Sequence, residues 1–225
     1  MHVSSKREEI AAGSVKVPVK DPSGGCFVTI EGLDGSGGTT QVAMLAAAWA
    51  RREPGRELVT TREPTDGPVG RLIRAQLVAG GGDDRRVGDA VLPYLFAADR
   101  RDHLDYLVLP ALARGAVVLS DRYALSSFAY QAAAHGLAHV MELNRAFPAP
   151  TLTVLLDLPP EACLARIERR GAPRDRFETL DRLATVAAGY EAALRASPGW
   201  NVLRVDASAS PEAVHARIAE AIWPG

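Results

Sequence analysis

The sequence predicts an α/β fold: a five-stranded parallel sheet with helices on both faces. Two observations carry this. Short runs rich in Val, Ile and Leu alternate with longer helix-compatible segments, and strands separated by helices favour parallel pairing with both faces covered. A glycine-rich turn joins the first run to the first helical segment. A helix N-terminus in that position suits a bound anion.

The elements follow in order. Residues 1–24 mix charge, Ala, Gly and Pro without a stable period and are expected to be a mobile extension. Residues 25–225 are expected to form one domain, a length suited to a single core. Cys26 to Ile30 is the first buried strand, and Gln41 to Arg52 a helix ended by Pro54-Gly55. Glu57 to Thr61 is the second strand. Val69 to Val78 and Ala90 to Leu112 are helical, the latter broken near Pro93 and before Pro110. Ala116 to Ser120 is the third strand, followed by short helices around 126–134 and 138–147. Thr151 to Leu156 is the fourth strand, and Pro160 to Arg170 a helix with proline in its first turn. An arginine-rich segment, Arg169 to Arg176, leads into a helix ending near Arg195. Val202 to Val205 is the fifth strand and Pro211 to Ile222 the last helix.

Composition narrows function. A net charge of -1 supplies no global basic field for nucleic acid or a membrane surface. No apolar run approaches the ~18 residues of a membrane span. The start lacks the apolar core of a secretory signal. Cys26 and Cys163 each fall in an apolar element, as buried free thiols of a reducing compartment do. A cytoplasmic protein is expected. The five histidines show no metal spacing.

Gly32-Leu33-Asp34-Gly35-Ser36-Gly37-Gly38-Thr39 stands between the first strand and helix, where the P-loop motif G-x-x-x-x-G-K-[ST] is found. Its glycines let successive N–H groups point inward at phosphate. Gly32, Gly35, Ser36, Gly37, Gly38, Thr39 and Thr40 are the expected phosphate binders, with the Thr39 hydroxyl available to a metal. Gly38 departs from the motif, because it replaces the lysine that neutralises charge on the β- and γ-phosphates. Losing one such donor typically lowers the rate about 10²–10³-fold. The only lysines are Lys6, Lys16 and Lys20, all before the first strand.

Four further motifs follow in order: Thr61-Arg62-Glu63-Pro64, Leu95 to Arg100, Ser120 to Ser127 with Asp121-Arg122 at its head, and Asp175 to Glu178. With the glycine-rich loop, their order and spacing resemble the thymidylate kinase family over about residues 26–222. The resemblance implies the P-loop nucleoside monophosphate kinase fold with a short arginine-rich lid. It implies ATP and Mg2+ as donor and metal, and phosphoryl transfer to thymidine monophosphate. Phe96 and Arg100 lie four apart on one helical face; by resemblance Phe96 stacks on the base and Arg100 reaches a base oxygen. The alternative from the residues alone is a core Phe beside a surface Arg. Arg122 is expected on the acceptor phosphate and Asp121 near the metal, the alternative for Asp121 being a helix cap. Ser127 and Tyr130 match positions beside base and deoxyribose, although Tyr130 also fits an ordinary half-buried aromatic. Asp34 matches a contact to the 3'-hydroxyl, the alternative being a turn-stabilising Asp. Glu63 matches a position near the acceptor.

Arg166, Arg169, Arg170, Arg174 and Arg176 match the lid over the donor phosphates. Some bacterial thymidylate kinases place a catalytic arginine in the lid and others in the phosphate loop; because this loop carries Gly35-Ser36 and no arginine, the resemblance implies catalytic arginines in the lid, at Arg170 and Arg174, with Asp34 and Arg122 completing the catalytic set. The partners are small nucleotides, and the resemblance implies a homodimer. Two other readings stand beside the enzyme: a non-catalytic nucleotide-binding relative, for which Gly38 argues, and a kinase for another pyrimidine monophosphate.

Overall fold

The computed structural model describes residues 24–77, 87–171 and 178–223. The expected N-terminal extension and its lysines lie outside these residues, apart from Gly24. So do Arg174, Arg176 and most of the expected lid.

Five strands form one sheet: β1 (Cys26–Gly32), β2 (Leu58–Arg62), β3 (Val117–Asp121), β4 (Leu152–Asp157) and β5 (Val202–Asp206). Their order is β2-β3-β1-β4-β5, and every pairing is parallel. Each expected strand is present, shifted by at most a residue or two at its ends. Strands β1, β3 and β4 are central and apolar because both faces are covered.

The helices are α1 (Gly38–Arg52), α2 (Pro68–Leu77), α3 (Leu92–His103), α4 (Leu109–Ala113), α5 (Ala124–His135), α6 (Leu137–Leu143), α7 (Pro160–Arg170), α8 (Leu180–Ala196) and α9 (Pro211–Ile222). The two-residue period of β1 divides the core. Val28 packs with Leu45 and Trp49 of α1 and Ile222 of α9. Phe27, on the opposite side, meets Tyr123 edge-on at 4.9 Å between ring centroids. Thr29 shares the Phe27 side, its hydroxyl bonding that of Thr153 at 3.2 Å. Helices α5 and α8 pack against each other beyond it.

Three helical expectations need correction. Pro93 does not break its helix; it occupies the first turn of α3, where a missing N–H is tolerated. Nor does the chain break before Pro110, because one π-helical turn over Leu104–Val108 carries it into α4. Helix α6 stops at Leu143 rather than near Phe147, and Asn144 closes it by donating from Nδ2 to the Val140 carbonyl at 2.7 Å.

Candidate active site

The ends of β1, β2 and β3 and the start of α1 meet at one edge of the sheet, where ligands of open parallel sheets bind. After β1 the chain turns through Gly35, with φ at 84°, and Gly37, with φ at 109°. Both conformations favour glycine. A Cβ on Gly35 would also lie 2.6 Å from the Cys163 carbonyl oxygen. Gly37 opens α1 without a side-chain cap, so first-turn N–H groups of α1 are available to a phosphate.

Gly38 is different. Its φ is not left-handed, so nothing in the backbone demands glycine. A Cβ there would stand 2.9 Å from Asp121 Oδ1. The Asp121 carboxylate leans toward the place where the motif's lysine would begin, and its Oδ2 accepts from the Thr39 hydroxyl at 2.7 Å. Asp121 therefore does not cap α5, which begins without a side-chain cap.

The loop residues expected to bind phosphate, Gly32 and Gly35 to Thr40, line one cleft of about 920 Å³. Arg166, Arg169 and Arg170 of α7 line it too. Arg166 is tethered to the loop itself: Nη1 donates to the Ser36 carbonyl at 3.2 Å and Nη2 to that of Ala207 at 2.8 Å. Arg170 donates to Glu178 Oε1 at 2.7 Å, half exposed while Glu178 is buried.

A second cavity, of about 220 Å³, adjoins the first. All seven expected acceptor residues line it: Asp34, Glu63, Phe96, Arg100, Arg122, Ser127 and Tyr130. Phe96 is half-buried, so it lines the cavity rather than filling the core. Arg100 is not a surface residue, being only 1% exposed. Its Nε and Nη2 reach Glu63 Oε2 at 2.9 and 2.7 Å, Nη2 also donates to Ser127 Oγ at 2.9 Å, and Nη1 donates to Asn144 Oδ1. Glu63 leans on His103 Nδ1 at 3.0 Å, whose Nε2 meets the Thr61 hydroxyl at 2.8 Å. The Glu63-Pro64 peptide bond is cis.

Asp34 and Arg122 line both cavities. Arg122 Nη2 donates to Asp34 Oδ1 at 2.6 Å and to the Tyr130 hydroxyl at 3.2 Å, and Tyr130 donates to Asp34 Oδ2 at 3.0 Å. The guanidinium lies 5.0 Å from the Tyr130 ring centre. Burial opposes the Arg122 charge, but Tyr130 and Asp34 outweigh it and hold the group more firmly protonated than an ordinary arginine. Burial pushes the Tyr130 phenol well above its usual range, so it serves as a neutral donor. The turn-stabilising alternative for Asp34 does not describe this pairing, nor does the plain-aromatic alternative describe Tyr130.

Several residues here had no role from sequence alone. Glu31 lies one residue beyond the expected strand, and its burial in β1, which asks for partners, appears only in the structure. Asn144, His103 and Tyr190 gave no signal, because their positions depend on how distant helices pack. Thr39 and Asp121 offer a hydroxyl and a carboxylate side by side, hard oxygen donors that suit a divalent cation holding water and phosphate oxygens as its other ligands. No cluster of three His, Cys, Asp or Glu suited to a metal occurs among the described residues. Among them, too, no helix is long and apolar enough to cross a membrane. Both cysteines are buried and free.

Comparison with known proteins agrees with this geometry. The family model for thymidylate kinase matches residues 30–218. A thymidylate kinase of Xanthomonas oryzae is 41% identical over 85% of this chain and 80% of its own length. Probable thymidylate kinases of Pyrococcus abyssi and Pyrobaculum aerophilum are each 41% identical, over 85% and 87% of this chain and 92% and 95% of their own. With that match spanning the sheet, the glycine-rich loop and both cavities, the chain belongs to the thymidylate kinase family.

Proposed function

We propose that the chain transfers the γ-phosphoryl group of ATP to thymidine monophosphate, giving thymidine diphosphate and ADP. The observation that carries this is the convergence of all seven acceptor residues on one cavity joined to the phosphate loop at Asp34 and Arg122. An acceptor phosphate oxygen attacks the γ-phosphorus, and the bond to the β,γ-bridging oxygen breaks with its electron pair leaving on ADP. Such a transfer needs positioning and positive charge more than a strong base.

The base lies against Phe96, with Arg100 donating to a base oxygen. Because Glu63, Asn144 and Ser127 already fix the Arg100 guanidinium, it enters the cavity without losing freedom. The deoxyribose lies by Tyr130. Arg122 takes the acceptor phosphate by exchanging its Asp34 oxygen for a phosphate oxygen, and the released Asp34 turns to the sugar 3'-hydroxyl. Thr39 and Asp121 would hold Mg2+, which would supply positive charge against the donor phosphates. The N–H groups of the loop and of the first turn of α1 cradle those phosphates.

Gly38 leaves the β- and γ-phosphates short of one cation. Arg170 and Arg174 supply it, as guanidinium groups that grip phosphate oxygens with two donors. Arg170 exchanges Glu178 for phosphate. Gly38 is also the whole case for a non-catalytic relative, and the intact acceptor cavity speaks against that reading. The two buried thiols suit a cytosolic setting. A homodimer through helices fits the exposed Leu72 of α2 and Tyr94 of α3, and the mass in solution tests it.

The direct test is a coupled assay with ATP, magnesium and each pyrimidine monophosphate. Thymidine monophosphate is expected to be phosphorylated in preference to cytidine and uridine ribonucleotides. Preference for a ribonucleotide contradicts the roles of Tyr130 and Arg100.

A further inference from the structure

Glu31 is only 1% exposed in the central strand of the sheet. By the two-residue period it shares the Phe27 and Thr29 side, toward α5 and α8. Three donors converge on it. Oε1 accepts from the Tyr123 backbone N–H at 2.9 Å. Oε2 accepts from the Ser126 hydroxyl and, at 3.3 Å, from that of Tyr190.

Two of these donors, Tyr123 and Ser126, follow Arg122 closely in sequence, and Arg122 has the backbone that most needs holding. Its φ is 74°, and it is the one non-glycine residue with positive φ among those described. The turn is fixed at each peptide. The Arg122 N–H bonds the Ile30 carbonyl at 2.9 Å, its own carbonyl accepts from Ser120 Oγ at 2.7 Å, and the next N–H is bound by Glu31. The same carboxylate sets the side chain. Ser126 donates to Glu31 and accepts from Arg122 Nη1 at 3.0 Å, while the single Tyr190 hydroxyl proton is shared between Glu31 Oε2 at 3.3 Å and the Gly32 carbonyl at 3.0 Å, its oxygen 2.9 Å from Ser126 Oγ. Arg122 Nη1 also donates to Gly32 O at 2.9 Å, so loop and arginine are joined above one carboxylate.

We propose that Glu31 is a positioning residue for the acceptor phosphate: it holds the Arg122 turn and, through Ser126, the Arg122 guanidinium, and so sets acceptor affinity without touching the acceptor. This rests on Arg122 being the phosphate-binding arginine.

The ionised carboxylate is the form that three donors address. Burial pushes the Glu31 carboxyl up to about 7, against Ser126, Arg122, Arg100 and the Tyr123 N–H, which favour its charge. The groups around it are Arg122 and Tyr123 from the β3–α5 junction, Ser126 from α5, Arg100 from α3 and Tyr190 from α8, with Asp34 and Tyr130 beyond Arg122. Burial raises both Tyr123 and Tyr190, which stay neutral here. Below pH 7 the added proton must itself be donated, to Ser126 or Tyr190, and one hydroxyl reverses. Acceptor affinity therefore falls as pH falls through about 7.

The test compares wild type, Glu31→Gln and Arg122→Ala between about pH 5.5 and 9, measuring KM for thymidine monophosphate, KM for ATP and kcat. Glutamine keeps an acceptor for Tyr123 but turns an amide N–H toward hydroxyl donors. Acceptor KM is expected to rise about tenfold or more, with KM for ATP within about twofold. The phosphate's own titration near 6 is common to both proteins, so only the added wild-type rise below about 7 disappears in Glu31→Gln. An acceptor KM within twofold of wild type, with the wild-type pH profile retained, overturns the proposal. If Glu31→Gln does not fold, Ser126→Ala cuts the link to Arg122 while leaving the carboxyl on Tyr123. A several-fold rise in acceptor KM is then expected, and no rise overturns the proposal. If Arg122→Ala leaves acceptor KM unchanged, the reading of Arg122 fails, and the positioning role with it. If Arg122→Ala weakens the acceptor and Glu31→Gln does not, the positioning role alone fails.

Discussion

On the acceptor side of the site Arg100 and Glu63 are paired and buried, whereas on the donor side Arg170 stands half exposed at the edge of the cleft. Arg100 is 1% exposed and gripped by Glu63, Asn144 and Ser127. Arg170 is half exposed and held by one carboxylate, Glu178. Selectivity for a base needs donors fixed before the ligand arrives, since a preorganised group loses little on binding. Phosphoryl transfer needs positive charge delivered around a migrating group, which cations on the edge of a cleft can do. This contrast motivates the proposal that cations at the cleft edge stand in for the absent lysine, beside an acceptor cavity lined by every expected residue.

Substitutions on the two sides should fail in different ways. Glu63→Ala leaves the Arg100 guanidinium buried without its carboxylate and should destabilise the fold by about 3–5 kcal/mol, read by chemical denaturation. A loss under about 1 kcal/mol would mean that the acceptor network is not preorganised. Arg170→Ala and Arg174→Ala should lower turnover about 10²–10³-fold. Because Arg170 is half exposed, solvent screens its pair with the buried Glu178, which should contribute about 1 kcal/mol or less to stability. If KM for the acceptor rises instead and kcat holds, these arginines serve binding rather than transfer. Arg122→Ala, at the boundary of the two regions, should weaken acceptor binding about 10–100-fold, the loss of a charge-assisted contact, as titration calorimetry would show. Removal of residues 1–20 should change activity less than about twofold. A large loss of activity would identify Lys16 or Lys20 as the source of the missing charge.

The sheet was legible because its strands are short, β-branched and bounded by turns, and because Pro160 and Pro211 mark helix starts. Pro93 misled, since a proline within a helical pattern looks the same whether it breaks a helix or opens one. The acceptor residues were found through ordered motifs. A surface Arg100 was the alternative that the residues alone left open, and the packing of α3 against α5 and α6 excludes it by burying the side chain. Asn144, His103 and Tyr190 escaped notice because their partners lie 40 or more residues away, joined by tertiary packing that no local period records. Glu31 lay just past the expected strand Cys26–Ile30, and only the observed strand, which runs to Gly32, makes it a buried charge in need of partners.

The central claim is that this kinase works without the phosphate-loop lysine because arginines supply the charge. Gly38→Lys tests it most directly. The backbone at position 38 accepts a side chain, and the crowding atom is the end of the Asp121 carboxylate, which can turn aside. Turnover of thymidine monophosphate with ATP and magnesium should be measurable in wild type and higher in Gly38→Lys. The contradicting result is that both proteins bind ATP and neither phosphorylates any pyrimidine monophosphate.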